Sequence, residues 1–267
     1  MHTHPSYSDR YSRNIILKEI GPMGQRKISA GKVLVIGAGG LGSPAALYCA
    51  AAGVGTIGIV DYDRVELSNL QRQILHTCSS IGQHKADSAQ QRIQELNDTI
   101  LVKPYVEKLS YDNAGSIIQG YDFVIDATDN FDTKFLINDT CVQCSIPFSH
   151  AGVLGWQGQT MTVLPGIAAC YRCVFQEPPL PDSVPSCSQA GILGSVAGIL
   201  GTIQATEAIK YLTGAGELLT DRLLVCDALT MQFRNVSVRR SSSCAACGTD
   251  ASLSHHDKSD VRQECRR

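Results

Sequence analysis

The sequence predicts an α/β fold: a doubly wound, mostly parallel sheet that antiparallel strands extend at one edge. From position 32 to 149, short apolar segments typical of buried strands alternate with helical patterns, which is the order found in parallel sheets. A glycine-rich turn joins the first of these strands to its helix, as in Rossmann-like folds. The last two predicted strands follow one another without a helix, which favours antiparallel pairing.

The first half of the chain supplies the parallel part of this prediction. Apolar runs bounded by turn residues predict strands at 32–36, 56–60, 101–106, 121–125 and 146–149. Helical spacing of apolar residues predicts helices at 11–29 (broken at Gly21-Pro22), 43–52, 83–96, 112–119 and 131–144. Because strands and helices alternate, we expect the strands to run parallel with helices on both faces.

The second half predicts the antiparallel extension and one long helix. Strands are expected at 159–164, 223–226 and 232–238, and a helix at 192–212. Four glycines fall on one face of that helix, which indicates close packing of another backbone, on the protein's own sheet rather than on a second subunit: Gly191, Gly194, Gly198 and Gly201. Residues 177–185 hold four prolines and predict an irregular loop. We expect a single domain over 1–248 and a disordered tail over 249–267.

Composition narrows the function classes. The chain has 267 residues, 43% hydrophobic, with a net charge of −2, so no strong field favours nucleic acid or an anionic membrane. The apolar segment 190–203 is too short and too rich in glycine to span a membrane. No signal peptide is evident in the polar first residues, so we expect a cytoplasmic protein. In that compartment, eleven cysteines indicate metal binding or chemistry rather than disulfides.

The glycine turn predicts a nucleotide site. Gly37, Gly39, Gly40 and Gly42 follow a strand and open a helix, where bare backbone N–H groups face a phosphate. Asp61 ends the next strand, nineteen residues after Gly42, and is placed to hold a ribose. A purely structural tight turn is the alternative. Up to Asp61, the pattern fits NAD as well as ATP.

Charged residues further along favour a triphosphate over a dinucleotide. Arg72 and Lys85 suit a polyphosphate, and arginine grips two oxygens at once, although either could be a solvated surface charge. Asp126 and Asp129 follow the end of a strand, where ligands of such sheets bind. Asp129 suits Mg²⁺, but it could instead cap the helix that begins at Phe131.

The cysteines predict a structural zinc site and one reactive thiol. Two Cys-x-x-Cys pairs, Cys170/Cys173 and Cys244/Cys247, supply the four thiolates of a closed tetrahedral site that would tie the C-terminus to the sheet. A third pair, at 141 and 144, is expected in the core. Cys187 follows the proline-rich loop and precedes a helix, a position that lowers a thiol pKa; a loop cysteine without a role is the alternative.

Taken together, these motifs resemble the ThiF/MoeB/HesA proteins, bacterial relatives of ubiquitin-activating enzymes. The similarity covers about residues 7–248 and is carried by the segments 10–14, 37–44, 61–73 and 126–130, by Lys85, by both zinc-type cysteine pairs and by Cys187. It implies ATP-dependent adenylation of the C-terminal glycine of a ubiquitin-like sulfur-carrier protein of the ThiS/MoaD type, ending in Gly-Gly. The product pathway would be thiamine, molybdopterin or a related thio-compound.

The resemblance also implies roles for single residues. The ribose would be held by Asp61, the phosphates by Asn69, Arg72 and Lys85, and Mg²⁺ by Asp129. Arg13 would reach the active site of the other protomer of a homodimer. Cys187 would accept or pass on the activated acyl group. The nucleotide pocket would also include the four turn glycines with Asp63, Ser68, Gln73 and Asn130, and zinc would bind Cys170, Cys173, Cys244 and Cys247.

Three other functions compete with this hypothesis. A NAD-dependent oxidoreductase would explain the glycines and Asp61, but it gives Arg72, Lys85, Asp129 and the cysteine pairs no purpose. A superfamily member that adenylates a tRNA-linked or peptide carboxylate would not need the zinc pairs and Cys187. A binding protein with a degenerate site conflicts with the intact Arg72, Lys85 and Asp129. Since no rhodanese-like domain follows residue 248, we expect a separate protein to donate sulfur.

Overall fold

A computed structural model describes residues 7–180, 183, 187–249 and 251, and of Cys187 and Ser188 it describes the backbone only. In these ranges eight strands form one sheet and ten α-helices surround it. The strands are β1 Lys32–Ile36, β2 Thr56–Val60, β3 Leu101–Tyr105, β4 Phe123–Asp126, β5 Phe148–Leu154, β6 Gln157–Val163, β7 Arg222–Asp227 and β8 Gln232–Ser237. The helices are α1 Tyr7–Arg10, α2 Ser12–Ile15, α3 Gly21–Ala30, α4 Gly42–Ala52, α5 Lys85–Leu96, α6 Ala114–Ile118, α7 Phe131–Cys144, α8 Tyr171–Val174, α9 Cys187–Ala190 and α10 Gly194–Thr213.

The sheet confirms the predicted fold class. Its strand order is β3-β2-β1-β4-β5-β6-β7-β8, with β1 to β5 parallel and β6, β7 and β8 antiparallel. The chain moves outward from β1 to β3, then returns to place β4 on the other side of β1. That reversal opens a crevice at the carboxyl ends of β1 and β4, where ligands of open α/β sheets bind.

Alternation along the strands divides the core into two layers. Val33 and Val35 face the layer formed with α4, α5 and α10, while Leu34 and Ile36 face the layer formed with α6 and α7. Both layers consist mainly of aliphatic side chains excluded from water, so the central strands β1 and β4 are apolar except for Lys32 and Asp126 at their ends. Among the described residues, no helix is both long and apolar enough to cross a bilayer.

Two of the differences between the observed and the expected element boundaries have a clear physical cause. The N-terminal helical pattern breaks over 16–20 rather than at Gly21, because Pro22 suits the first turn of a helix, where its missing N–H is not needed. Strand β5 continues to Leu154 instead of ending at 149, since it pairs with β6 residue by residue as far as Leu154 and Gln157. The hairpin turns at Gly155, whose φ of 60° favours glycine.

The glycines of α10 pack inside the protein, as expected, but against α4 and the turn at Gln71 rather than against the sheet. A Cβ on Gly201 would overlap the carbonyl oxygen of Leu41 at the start of α4 and lie 2.7 Å from the Pro44 Cγ. One on Gly194 would lie 2.6 Å from the carbonyl oxygen of Gln71. Around Gly198, by contrast, there is space within 4 Å. The expected close approach is therefore made by two of the glycines, to α4 and to the turn before Arg72.

A pair of alanine substitutions in α10 tests this packing. Gly201→Ala should lower the free energy of unfolding by about 1–3 kcal/mol, because the added methyl forces α10 away from α4. Gly198→Ala should raise it by about 0.5–1 kcal/mol, since alanine favours helix and nothing obstructs the methyl. Urea unfolding of both variants measures the difference. Equal effects of the two substitutions would contradict the packing described.

Candidate functional site

A cavity of about 620 Å³ occupies the crevice at the carboxyl ends of the parallel strands. Among the segments that line it are the glycine turn after β1, the loops after β2 and β3, the segment after β4 and the β5–β6 hairpin. Sequence reasoning predicted a site at this position. Of its residues the structure brings ten to the cavity wall: Gly37, Gly39, Gly40, Asp61, Asp63, Arg72, Gln73, Lys85, Asp129 and Asn130.

The glycine turn has no room for side chains. Gly37 has a φ of 97°, and a Cβ there would lie 2.7 Å from the carbonyl oxygen of Ala127. A Cβ on Gly42 would overlap the carbonyl oxygen of Gly37. Above Gly40 lies the side chain of Arg72, whose Cγ would be 3.4 Å from a Cβ. The turn is therefore compact enough to present backbone N–H groups to a ligand beside a guanidinium.

A buried histidine that the sequence did not single out braces this turn. The Nε2 of His76 lies 2.9 Å from the carbonyl oxygen of Ala38, and its Nδ1 lies 2.9 Å from the Ser88 Oγ. Burial lowers the pKa of His76, which favours the neutral ring. A neutral ring that donates from Nε2 to Ala38 and accepts at Nδ1 from Ser88 satisfies both contacts.

Asp61 also holds the turn. Its carboxylate accepts the N–H of Ala38 at 2.8 Å and the N–H of Asp63 at 2.9 Å. Burial raises the pKa of Asp61, and the nearby charge of Lys85 opposes that shift. The predicted ribose-binding carboxylate is thus fixed at the edge of the cavity.

Charges in the cavity wall are balanced rather than strongly positive. Four cations and four carboxylates line it: Arg72, Lys85, Lys108 and Lys134, with Asp61, Asp63, Glu107 and Asp129. Lys85 is buried, so it is not the solvated surface charge of the alternative interpretation, but its Nζ already lies 3.0 Å from the Asp63 carboxylate. Lys134 pairs with Asp126. Among the described residues, Arg72 and Lys108 are the lining cations without an ion pair.

The segment after β4 separates two roles that the sequence left open. The Asn130 side chain accepts the N–H of Thr133 at 2.9 Å and so caps α7. The alternative in which Asp129 caps this helix is therefore wrong. Asp129 is exposed to the cavity, and no hydrogen bond or ion pair reaches its carboxylate from the described residues.

Five predicted site residues are not in the cavity wall. Gly42 packs against the carbonyl oxygen of Gly37 within the turn, and Arg13 is exposed on α2. Ser68 and Asn69 lie behind Arg72: the carbonyl oxygen of Ser68 accepts a hydrogen bond from the guanidinium at 3.1 Å, and the Asn69 side chain accepts the N–H of Glu66. The side chain of Cys187 lies outside the described residues, so its role stays a prediction; α9 does begin there.

Sequence reasoning missed a buried cluster formed by Asp126, Lys134 and His150. The Nζ of Lys134 lies 3.2 and 3.3 Å from the two carboxylate oxygens of Asp126 and donates to the carbonyl oxygen of Ala151 at 2.8 Å. The Nδ1 of His150 lies 3.0 Å from the same carboxylate. Lys134 and His150 both line the cavity.

Burial and charge fix the protonation of this cluster. Burial alone would raise the pKa of Asp126, but the Lys134 charge and the hydrogen bonds from His150 and Thr128 outweigh it, so the net pKa is lowered. Burial, reinforced by the Lys134 charge, lowers the pKa of His150 to about 4 against the opposing effect of Asp126. At neutral pH the cluster therefore holds an ionised Asp126 carboxylate beside Lys134 and a neutral His150 imidazole.

The four zinc-type cysteines come together as predicted. Their sulfur atoms all lie within 4.8 Å of one another, although the two pairs are seventy residues apart in the chain. Three of the sulfur–sulfur distances are 3.4, 3.6 and 3.8 Å, close to the roughly 3.8 Å that a tetrahedral Zn–S₄ site requires. The backbone N–H of Ser241 points at the Cys173 sulfur at 3.4 Å, as expected beside a thiolate. The set fits a structural zinc ion.

The third Cys-x-x-Cys pair lies in α7, as expected. Cys141 is fully buried in the core layer beneath β4, while Cys144 is half-buried at the end of the helix. Neither cysteine belongs to the four-sulfur cluster. The sequence-based assignment of this pair to the core is confirmed for Cys141 and holds in part for Cys144.

Comparison with known proteins identifies relatives over most of the chain. The sequence model of the ThiF family matches residues 11–246. A sulfur carrier protein adenylyltransferase of Thermus thermophilus is 43% identical over 247 residues, 91% of each chain. The SAMP-activating enzyme E1 of Haloferax volcanii is 45% identical over 90% of this chain and 88% of its own length. An adenylyltransferase and sulfurtransferase MOCS3 of Culex quinquefasciatus is 47% identical, but this chain spans only 56% of its length.

Solved structures with the same fold include MccB of E. coli. The form crystallised with ATP superimposes with a TM-score of 0.80 at 23% identity, over 90% of this chain and 74% of that one. PaaA superimposes with a TM-score of 0.74 at 22% identity. At these identities the likeness concerns the fold alone.

Removal of one cysteine of the cluster tests the zinc site. Cys247→Ser should abolish stoichiometric zinc and lower the melting temperature by several degrees, because metal binding contributes to folding and each kcal/mol lost shifts the midpoint by about 2–4 °C in a domain of this size. Elemental analysis and thermal melting measure both effects. Cys78→Ser, at an exposed cysteine outside the cluster, is the control. Wild-type protein that contains no zinc as purified, and a Cys247→Ser variant that melts at the same temperature, would refute the assignment.

Proposed function

This chain belongs to the ThiF family, and on that premise we propose that it adenylates the C-terminal glycine of a small ubiquitin-like sulfur-carrier protein. The observation that carries the proposal is the cavity itself, where the glycine turn, the fixed Asp61 carboxylate and the unpaired Arg72 guanidinium converge. The Thermus relative, similar over nearly its full length, is a sulfur carrier protein adenylyltransferase by name. ATP is therefore the nucleotide we assign to the cavity.

The reaction needs positioning and charge neutralisation rather than a strong base. A carboxylate oxygen of the carrier attacks the α-phosphorus of ATP, the bond from that phosphorus to the β-phosphate oxygen breaks, and pyrophosphate leaves. An acyl-adenylate remains on the carrier. The attacking carboxylate is already ionised at neutral pH, so no proton has to be removed. Catalysis then consists of holding both substrates and compensating the charge of the phosphates.

The residues of the cavity divide this work among them. The N–H groups of the glycine turn face the phosphates, and Asp61 accepts hydrogen bonds from the ribose hydroxyls. Arg72, anchored on Ser68, neutralises charge as pyrophosphate departs. Lys85 contributes less than its charge suggests, because Asp63 shares it.

Charge balance supports two further assignments. A triphosphate brings about four negative charges, whereas Arg72 and Lys108 are the lining cations without an ion pair in the described chain. Mg²⁺ held by Asp129 and phosphate oxygens would supply part of the missing positive charge. Arg13 of a second copy, in a homodimer, would supply more; this is consistent with its exposed position outside its own cavity.

The fate of the adenylate completes the proposal. A separate cytoplasmic sulfur donor would convert the carrier to its thiocarboxylate, and Cys187 would accept or pass on the acyl group. Mass spectrometry of the protein incubated with ATP and a carrier detects such an adduct on Cys187. Neither Arg72 nor Asp129 has a purpose in a NAD-dependent oxidoreductase, so the dinucleotide alternative is not favoured.

Removal of the guanidinium tests the phosphate site. Arg72→Ala should reduce carrier-dependent ATP–pyrophosphate exchange about a hundredfold or more, because one charge contact to the transition state is lost. Arg92→Ala, which removes an exposed surface arginine paired with Glu95, is the control and should exchange like the wild type. Exchange at the wild-type rate in Arg72→Ala would rule out the assigned role.

Substitution of Asp129 tests the magnesium site. Asp129→Asn should raise the Mg²⁺ concentration needed for half-maximal exchange at least tenfold, because a charged ligand of the ion becomes neutral. Asp132→Asn provides the matched control, since Asp132 is exposed in the first turn of α7, three residues after Asp129, and lies outside the cavity wall. An unchanged Mg²⁺ requirement in Asp129→Asn would show that the ion binds elsewhere.

A further inference from the structure

Two cavity-wall residues have a buried polar atom with no hydrogen-bond partner in the described part of the chain: the Oε1 of Gln73 and the Nε2 of His150. The Nε2 of His150 is buried and makes no hydrogen bond, while the Nδ1 of the same ring bonds to Asp126. A buried polar atom left unsatisfied costs about 1–3 kcal/mol, so such an atom in a ligand cavity points to a bond that forms when ligand binds. Nothing in the adenylation chemistry described so far uses this ring.

The neighbours of His150 determine what Nε2 can bind. Asp126 is ionised and can only accept, so the Nδ1 of His150 must carry the proton that it donates. The neutral ring then presents a lone pair at Nε2. The partner of that atom must therefore be a donor, an N–H or O–H group of whatever occupies the cavity.

Strand order places this acceptor away from the nucleoside. His150 lies on β5, three strands from β2, whose end carries Asp61. At about 4.8 Å per strand, that separation is roughly 14 Å. The adjacent strand β4, by contrast, leads directly to Asp129. A nucleotide with its ribose at Asp61 and its phosphates at the glycine turn thus leaves His150 on the far side of the phosphates, in the part of the cavity that remains for a second substrate.

The wall beside Nε2 is shaped for a slender chain. Gly152 follows on the same face of β5, and a Cβ there would lie 4.0 Å from the Nε2. On the other side the rings of Tyr171 and Phe175 pack over the imidazole, with centroids 4.5 and 6.2 Å away. Tyr171, Phe175 and Gly152 all line the cavity. A bare backbone strip next to aromatic rings accommodates an extended peptide better than a bulky group.

We propose that the Nε2 of His150 accepts a hydrogen bond from the amide N–H of the C-terminal residue of the incoming carrier. This inference rests on the proposed function, because it assigns a residue to the second substrate of that reaction. The amide nitrogen is two covalent bonds from the carboxylate carbon, so the contact orients the attacking oxygen toward the α-phosphorus. His150 is then a substrate-binding residue that Asp126 and Lys134 hold in the accepting form.

Two substitutions at position 150 separate this role from a structural one. His150→Asn keeps a donor near the position of Nδ1, for the bond to Asp126, and has no atom at the position of Nε2. His150→Gln places an amide oxygen near Nε2 and gives up the Nδ1 position. We expect kcat/KM for the carrier to fall about tenfold in His150→Asn and about threefold or less in His150→Gln, with the Kd for ATP unchanged in both. A purely structural role predicts the reverse order.

A change in the carrier tests the same bond without altering the enzyme. In a semisynthetic carrier ending in Gly-Gly, an ester can replace the last amide, which removes the N–H and adds no bulk. Wild-type protein should lose about tenfold in kcat/KM when the ester carrier replaces the amide carrier. In His150→Asn the bond to the amide is already absent, so kcat/KM should be the same with both carriers. The wild-type measurement tests the proposal even if the two His150 variants do not fold.

The outcomes distinguish the failure of each proposal. If the ester carrier supports pyrophosphate exchange by the wild type as well as the amide carrier does, the assignment of His150 is wrong and the adenylation proposal is unaffected. A tenfold weaker Kd for ATP in His150→Asn also overturns it, since Nε2 would then serve the nucleotide. If no Gly-Gly carrier of the ThiS or MoaD type supports exchange by the wild type, both proposals fail together.

Discussion

The close approach of the glycine turn to the end of β4 is the constraint on which the rest of the site depends. Gly37 adopts a left-handed conformation with its Cα against the carbonyl oxygen of Ala127, and Gly42 approaches Gly37 with no space for a Cβ. This contact joins the two strands that flank the topological reversal. It fixes the Ala38 N–H for Asp61 and leaves Gly40 bare beneath Arg72. A side chain at Gly37 or Gly42 would separate these groups.

Two lysines in the cavity wall already form ion pairs with carboxylates of the protein, and this limits the positive charge available to a ligand. Asp63 holds Lys85, and Asp126 holds Lys134, so each lysine is held in place by a carboxylate of the protein itself. A polyphosphate must then rely on Arg72, on the N–H groups of the turn and on cations brought from outside. In the proposed mechanism, Mg²⁺ at Asp129 and Arg13 of a second copy would supply that positive charge. Without these ion pairs, the four cations that line the cavity would repel one another.

Much of this could be predicted from the sequence, because the informative features were local. A strand, a turn that only glycine permits and an acid at the next strand end are adjacent in the chain, so the position of the turn and of Asp61 at the cavity could be predicted, as could the clustering of the zinc-type cysteines. Whether a cation is free or paired depends on residues distant in sequence, so the partner of Lys85 could not be foreseen. The cluster of Asp126, Lys134 and His150 depends on the register of β4 against β5. No spacing rule reveals that register, and the predicted strand ended at 149, one residue before His150.

The central claim is that the cavity directs a carboxylate of a carrier protein onto the α-phosphorus of ATP. A carrier with both oxygens of its C-terminal carboxylate labelled with ¹⁸O tests this most directly, in the presence of the enzyme, ATP, Mg²⁺ and hydroxylamine to cleave the product. The account predicts AMP that carries one carrier-derived ¹⁸O atom, because the attacking oxygen stays on the α-phosphorus when the acyl bond breaks. Label in inorganic phosphate instead, or AMP without label, would contradict it.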